Sequence, residues 1–177
     1  MMQHARGAEG EHVLADFNAL VDENVGLAYH GRRAQVPTFN VTLVRELADD
    51  VGTVDVVAQE LGRVLINLLN NAFDAVTDRA RMAGAGYEPT VRIATRRTAS
   101  GVEVRVEDNG TGIPEAVLAR VFEPFYTTKP AGQGTGLGLS MSHDIIEQGH
   151  GGTLRAESVE GQGTTFVIAL PAQTAAA

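Results

Sequence analysis

The sequence predicts an α+β fold, a two-layer α/β sandwich with a mixed, mostly antiparallel sheet and helices packed on one face. Three observations carry this expectation. Two hairpins are visible, 90–95 with 102–107 about Thr98-Ala-Ser-Gly101, and 153–157 with 164–170 about Glu160-Gly-Gln-Gly163. Three stretches repeat apolar residues at three- and four-residue spacing, so they read as amphipathic helices. The helices fall between hairpins rather than between single strands, which argues against a doubly wound parallel sheet.

Residues 1–12 read as a frayed tail. From Asp16 the pattern is helical, with Val13, Phe17, Leu20, Val21, Val25 and Leu27 recurring, Asp16 as cap and an end near Gly31. Phe39 to Val44 alternates and reads as a strand. The longest helical signal runs from about Gln59 to Arg81, where Leu61, Val64, Leu65, Leu68, Ala72 and Val76 make one apolar stripe and Gly84 and Gly86 stop it. After the first hairpin come a glycine loop at Gly110 and Gly112, a short helix over 114–121, a loop over about 123–134 and a helix over 137–148. The second hairpin closes the domain, and 173–177 should be loose.

The chain has 177 residues, 44% hydrophobic and 20% charged, enough for one domain with a real core. It has no Cys, which removes disulfides, thiolate metal sites and Cys nucleophiles. No apolar run approaches a membrane span and the N-terminus has no signal-peptide core, so the expected location is cytoplasmic, without membrane contact. A net charge of −8, no Trp and 5% aromatics make nucleic-acid binding a poor expectation. Glycine stands out, with 20 residues, and seven of them fall between Gly132 and Gly152.

Three constellations offer chemistry. On the long helix, Glu60, Arg63, Asn67, Asn71, Asp74 and Asp78 share one face. That face can be merely solvated. Asn is a poor helix former, however, and Asn67, Asn70 and Asn71 within five residues cost about 0.5 kcal/mol each, which a ligand would explain. Amide oxygens can join a Mg²⁺ shell. In the strand Val102 to Glu107, the valines at 102, 104 and 106 face one way, and a pleat continued by one residue puts Asp108 with them. A carboxylate at the core edge needs a partner, such as the amino group of a flat heterocycle, although Asp-Asn-Gly also suits a plain turn. Finally, Gly132-Gln-Gly-Thr-Gly-Leu-Gly-Leu139 precedes a helix, so its amides and the helix dipole can hold phosphate, with Lys129 just upstream. It matches neither the dinucleotide fingerprint nor a P-loop, and glycine clusters are often only flexible loops.

Taken in order, these elements resemble the ATP-binding catalytic domain of sensor histidine kinases, within the GHKL superfamily of type II topoisomerase and mismatch-repair ATPases. The N box is similar to Arg63-Val-Leu-Ile-Asn-Leu-Leu-Asn-Asn-Ala-Phe-Asp-Ala-Val76, the G1 box to Asp108-Asn-Gly-Thr-Gly-Ile113, the F box to Phe122-Glu-Pro-Phe-Tyr-Thr-Thr-Lys129 and the G2 box to Gly134-Thr-Gly-Leu-Gly-Leu139. His150-Gly-Gly and Gly163-Thr-Thr-Phe166 also match. The resemblance covers about 16–171, leaving 1–15 as a flexible tail or the remnant of a dimerisation helix and 172–177 as a disordered tail.

The resemblance implies a Bergerat-type fold with ATP and Mg²⁺ as cofactors, bound between the N-box helix and a lid over 123–135. Asp108 would bond the adenine amino group, Thr164 would support the base through water, and Gly110 and Gly112 would border it. Asn71 would ligate Mg²⁺ and Asn67 would sit by the phosphates as a catalytic residue. Lys129, Thr128 and the backbone at Gly134, Gly136, Leu137 and Gly138 would hold the phosphates. Phe122 and Phe125 are as readily lid-anchoring core residues. Superfamily members that hydrolyse ATP carry Glu where Asn67 stands, and Asn cannot act as that base, so kinase chemistry fits better than hydrolysis.

The five His residues, His4, His12, His30, His143 and His150, lack the context of a phosphoacceptor, and His143 reads as structural. The first helix resembles the segment that joins the dimerising hairpin to the catalytic domain in some kinases. The implied chain is a catalytic fragment or a stand-alone domain. It would act on a histidine of a dimerisation domain, in cis or in trans, and reach a response regulator only indirectly. A protein-serine kinase of the anti-sigma type and a nucleotide-gated binding module without catalysis are the alternatives.

Overall fold

The computed structural model describes residues 10–124, 126 and 138–172. In chain order the elements are β1 (Val13–Asp16), α1 (Phe17–Gln35), β2 (Thr42–Leu47), β3 (Thr53–Val56), α2 (Ala58–Ala83), β4 (Thr90–Arg97), β5 (Gly101–Asp108), α3 (Glu115–Leu118), α4 (Gly138–His150), β6 (Thr153–Val159) and β7 (Gly163–Pro171). Five strands form one sheet in the order β2-β4-β5-β7-β6. The β2–β4 pair is parallel and the other three pairs are antiparallel. The helices pack on one face, so the expected α+β sandwich is the architecture found.

β5 is the middle strand, and its pleat explains much of the core. Val102, Val104 and Val106 are buried, as are Val91 and Ile93 on β4 and Phe166, Ile168 and Leu170 on β7. Over this sheet face lie Leu61, Val64, Leu65, Leu68, Leu69, Ala72, Phe73 and Val76 of α2. The opposite sheet face is a ladder of charges. Arg92 bridges Glu46 and Glu107, and Arg96 and Arg105 both pair with Glu103. These guanidinium groups cover Glu103, which is only 4% exposed although it points away from the valines. Burial pushes the Glu103 carboxyl up, but hydrogen bonding and charge from Arg96 and Arg105 together leave it below the ordinary carboxylate range.

Several elements differ from the sequence expectation. β1 and β3 form a separate antiparallel pair that the sequence did not announce, being four residues each and too short for a reliable period. Residues 13–15 therefore belong to a strand rather than to a tail. The β2 strand begins at Thr42 rather than Phe39, and it joins β4 in parallel through a crossover over β3 and α2. The α1 helix starts as expected, with Asp16 accepting the Ala19 N–H at 3.0 Å, but it runs past Gly31 to Gln35. Its buried set is Phe17, Val21, Asn24, Val25 and Ala28, while Leu27 is 56% exposed and Val13 lies in β1. Packed into the core in this way, α1 is an integral helix of the domain rather than a joining segment.

Two devices fix α1 on α2. Gly62 lets the helices approach, since a Cβ there would stand 2.9 Å from Asn24 Oδ1. Arg32 donates to Asp74 Oδ1 at 2.8 Å and to the Asn70 carbonyl at 3.2 Å, and its guanidinium lies 5.6 Å from the centroids of both Phe39 and Phe73. Arg32→Ala removes a partly buried ion pair together with two cation–π contacts. It is expected to lower stability by about 2 kcal/mol in urea unfolding. A loss below about 0.5 kcal/mol would mean the bridge is only a surface pair.

Candidate functional site

The site is built where α2, the end of β5, the start of β7 and the start of α4 meet. Asp108 is the last residue of β5 and continues the valine side of the pleat, where it is 5% exposed. Its Oδ1 accepts the Gly110 N–H at 2.8 Å, and Thr164 is its register partner on β7. Burial nevertheless dominates and pushes the Asp108 carboxyl up to about 6, with a smaller upward push from Glu107. A buried acceptor of this kind, held by the Gly110 N–H, offers its remaining lone pairs to a ligand donor.

Beyond Asp108 the chain folds onto α2 and the β6–β7 turn. A Cβ on Gly110 would stand 2.6 Å from the Ala75 backbone, so only glycine lets the loop lie directly on α2. Gly112 has φ of 73° and lies against the Val159 carbonyl. Thr164 is buried, and its hydroxyl meets Ser158 Oγ at 2.9 Å, while Ser158 Oγ also accepts the Ile113 N–H at 2.7 Å. Asp108, Gly110, Gly112 and Thr164 are thus assembled around one point.

On α2, Asn71 Nδ2 donates to the Asn67 carbonyl at 3.0 Å, which leaves the amide oxygen Oδ1 as the acceptor that side chain can offer. Asn67 Nδ2 donates to Ser142 Oγ of α4 at 3.2 Å, and a Cβ on Gly138 would stand 2.7 Å from Asn67 Oδ1. The first turn of α4 therefore sits on Asn67, and the positive dipole end of that helix favours an anion there. The six-residue face expected on α2 does not act as one. Asn67 contacts α4, Asn71 bonds back to the Asn67 carbonyl, Asp74 turns to Arg32, and Asp78 pairs with Arg81 at the surface. From Asn67 to Ala75 is eight residues, roughly 12 Å of helix. A buried acceptor stands near one end of that span and an anion-receptive helix start near the other.

Phe125, Thr128, Lys129, Gly134, Gly136 and Leu137 lie outside the described residues, as does most of the expected lid. Phe122 packs against the core and its ring stands 5.0 Å from that of His143, which also contacts Glu147 at 3.1 Å. His143 is accordingly placed among packing contacts. Sequence reasoning missed Ser142, Ser158, Arg79, Tyr87 and Asn109. Asn109 bonds Tyr87, Thr90 and Glu88 through its side chain, fixing the loop after Asp108. Its Asp-Asn-Gly setting signalled a turn, but nothing in the local sequence signalled the partners.

Comparison with known proteins agrees with this geometry. Residues 56–174 match the family model described as histidine kinase-, DNA gyrase B- and HSP90-like ATPase. The chain is 38% identical over 165 residues to the sensor kinase CckA of Brucella abortus, covering 90% of this chain and 16% of that protein. It is 35% identical over 160 residues to the sensor histidine kinase ZraS of Escherichia coli, covering 88% and 30%. The chain thus spans less than a third of the curated relatives it matches. Among solved structures, the catalytic domain of the histidine kinase ThkA superposes with a TM-score of 0.72 at 31% identity, covering 91% of this chain and 95% of that one.

Proposed function

The chain belongs to the histidine kinase-, DNA gyrase B- and HSP90-like ATPase family, and from that premise we propose that it binds Mg²⁺-ATP and supplies the γ-phosphate for phosphorylation of a histidine on a dimerisation domain. The carrying observation is Asp108, a buried carboxylate with the Gly110 N–H in place on one oxygen and capacity left for the adenine amino group. Thr164, Gly110 and Gly112 form the base end of the site. Asn71 and Asn67, with the start of α4 at Gly138, form the phosphate end; Thr128, Lys129, Gly134, Gly136 and Leu137, outside the described residues, are proposed as further phosphate ligands from the family resemblance alone. The residues present fit a hard cation, because Asn71 offers an amide oxygen whose nitrogen is already committed. Bound Mg²⁺ would neutralise phosphate charge.

What this chain does is position. Asp108 orients the base, and the α4 amides hold negative charge where the transferred group sits, so that an incoming imidazole nitrogen meets phosphorus in line with the departing ADP oxygen. Asn67 is an amide tied to Ser142 and holds no proton-accepting group for water, which supports transfer to a protein over hydrolysis. The acceptor histidine, a response regulator downstream and a cytoplasmic location complete the proposal, with the domain extended by β1 to 13–171. No helix among the described residues is long and apolar enough to cross a membrane.

Calorimetric titration with ATP, with and without Mg²⁺, tests the site. Saturable binding strengthened by Mg²⁺ is expected in the wild type, and Asn71→Ala is expected to lose most of the Mg²⁺ effect. An unaltered Mg²⁺ response in that variant removes Asn71 from the metal shell. Incubation with γ-labelled ATP and a histidine-bearing dimerisation domain should yield an acid-labile phosphate. An acid-stable one would instead point to serine.

A further inference from the structure

Three chain segments converge beside the Asp108 turn, and one side chain joins them. Arg79 lies on α2, one helical turn beyond the Ala75 that Gly110 rests on. Its Nη1 donates to the carbonyl oxygens of Asn109 at 2.9 Å, Gly110 at 3.3 Å and Gln162 at 3.4 Å. Those carbonyls belong to the loop after β5 and to the β6–β7 turn, which leave the sheet ladder at this point and need other donors. The guanidinium lies 5.0 Å from the centroid of Tyr87, whose hydroxyl itself donates to the Asn109 carbonyl at 2.9 Å. Cation, ring and hydroxyl thus act on the same peptide group.

We propose that Arg79 is a positioning residue for nucleotide recognition, holding the Asn109–Gly110 turn and the Gln162 turn against α2 so that Asp108 and Thr164 keep the geometry that receives the base. The inference rests on the ATP reading above. Arg79 does not touch the reacting atoms, and its effect is to pre-order the acceptor. The binding site then need not be organised at the moment of binding. Nη1 carries two hydrogens, so it serves the three carbonyls by sharing one of them, and each of these three partners is an acceptor. The Arg79 guanidinium also lies over the Tyr87 ring, so the hydrogen-bonding role must be separated from that contact.

The test uses the whole chain with Arg79→Met, which keeps the stem and removes the donors, and Arg79→Lys, which keeps the charge and three donors. Two readouts are taken, the ATP dissociation constant and amide hydrogen exchange of the free protein. Arg79→Met is expected to weaken ATP binding about tenfold or more. It should also speed exchange at Gly110, Gly161 and Thr164 while α1 amides stay as in the wild type, with Arg79→Lys recovering part of both. Wild-type affinity in a folded Arg79→Met overturns the proposal, as does exchange that rises uniformly along the chain. If Arg79→Met does not fold, Arg79→Lys decides by the same readouts, since its single nitrogen on a flexible stem should leave an intermediate loss in both. A wild-type chain that fails to bind ATP refutes the nucleotide reading, and the exchange pattern then still shows whether Arg79 orders the turn.

Discussion

Asp108→Asn is expected to make the free protein more stable and to abolish most ATP binding. The folded-state carboxyl is raised to about 6, chiefly by burial, whereas in the unfolded chain it titrates near 3.9. Between about pH 4 and pH 6 the folded protein keeps a proton that the unfolded chain has lost. Stability therefore falls as pH rises through this window, and above it the ionised carboxylate costs about 3 kcal/mol. Asn has the same shape and no charge, so at pH 8 the variant should gain up to about 3 kcal/mol in urea unfolding, a gain that shrinks as pH falls toward 5. Binding moves the other way. If Asn Oδ1 keeps the Gly110 donor, its NH₂ group faces the adenine amino group, donor against donor. The affinity loss is about 2–3 kcal/mol, roughly thirtyfold to 150-fold. For the wild type, ATP affinity should weaken as pH drops below about 6, when the carboxylate gains its proton. Wild-type affinity in the variant would remove Asp108 from base recognition, and equal stability at pH 8 would mean its charge is solvated after all.

The opposed signs explain what the sequence could and could not reveal. Asp108 was legible because strand parity is a local rule, and three alternating valines suffice to place the next residue. The α2 stripe and the Asp16 cap were legible for the same reason. Other features depend on partners far along the chain. Arg32 meets Asp74 across 42 residues and Arg79 meets Gln162 across 83, and neither arginine sits in a pattern that distinguishes it from a surface cation. Hydropathy also misjudged α1. It counted Leu27 as core, but the buried position is taken by Asn24, whose amide is satisfied by the Leu20 carbonyl at 2.8 Å. Glu103 was rightly placed on the polar face, yet no periodicity foretells that two arginines will close over it. The parallel β2–β4 pairing was hidden because β3 and the whole of α2 separate the two strands.

Gly112→Ala should be among the most damaging single-methyl changes in the domain, and Gly161→Ala gives the comparison that isolates why. Both glycines have left-handed φ, 73° and 84°. A side chain at either pays the same conformational cost, about 1–2 kcal/mol. Their surroundings differ. A Cβ at Gly161 meets nothing within 4 Å, while one at Gly112 runs into the Val159 carbonyl and comes within 2.8 Å of Glu160 Cα. Those are backbone atoms, so relief requires the loop after β5 to part from the β6–β7 turn. Parting loosens the Gly161 N–H bond to the Thr111 carbonyl at 2.7 Å and the Ile113 N–H bond to Ser158. Ser158 in turn holds Thr164, so the disturbance reaches the base end of the site. Gly161→Ala should thus cost about 1 kcal/mol and leave ATP binding intact. Gly112→Ala should cost about 3 kcal/mol or more and reduce ATP affinity in the folded fraction. Equal losses in urea unfolding would show that the left-handed backbone alone matters at Gly112. An unequal loss with unchanged ATP affinity would show that the seam between the two turns stabilises the fold without shaping the site.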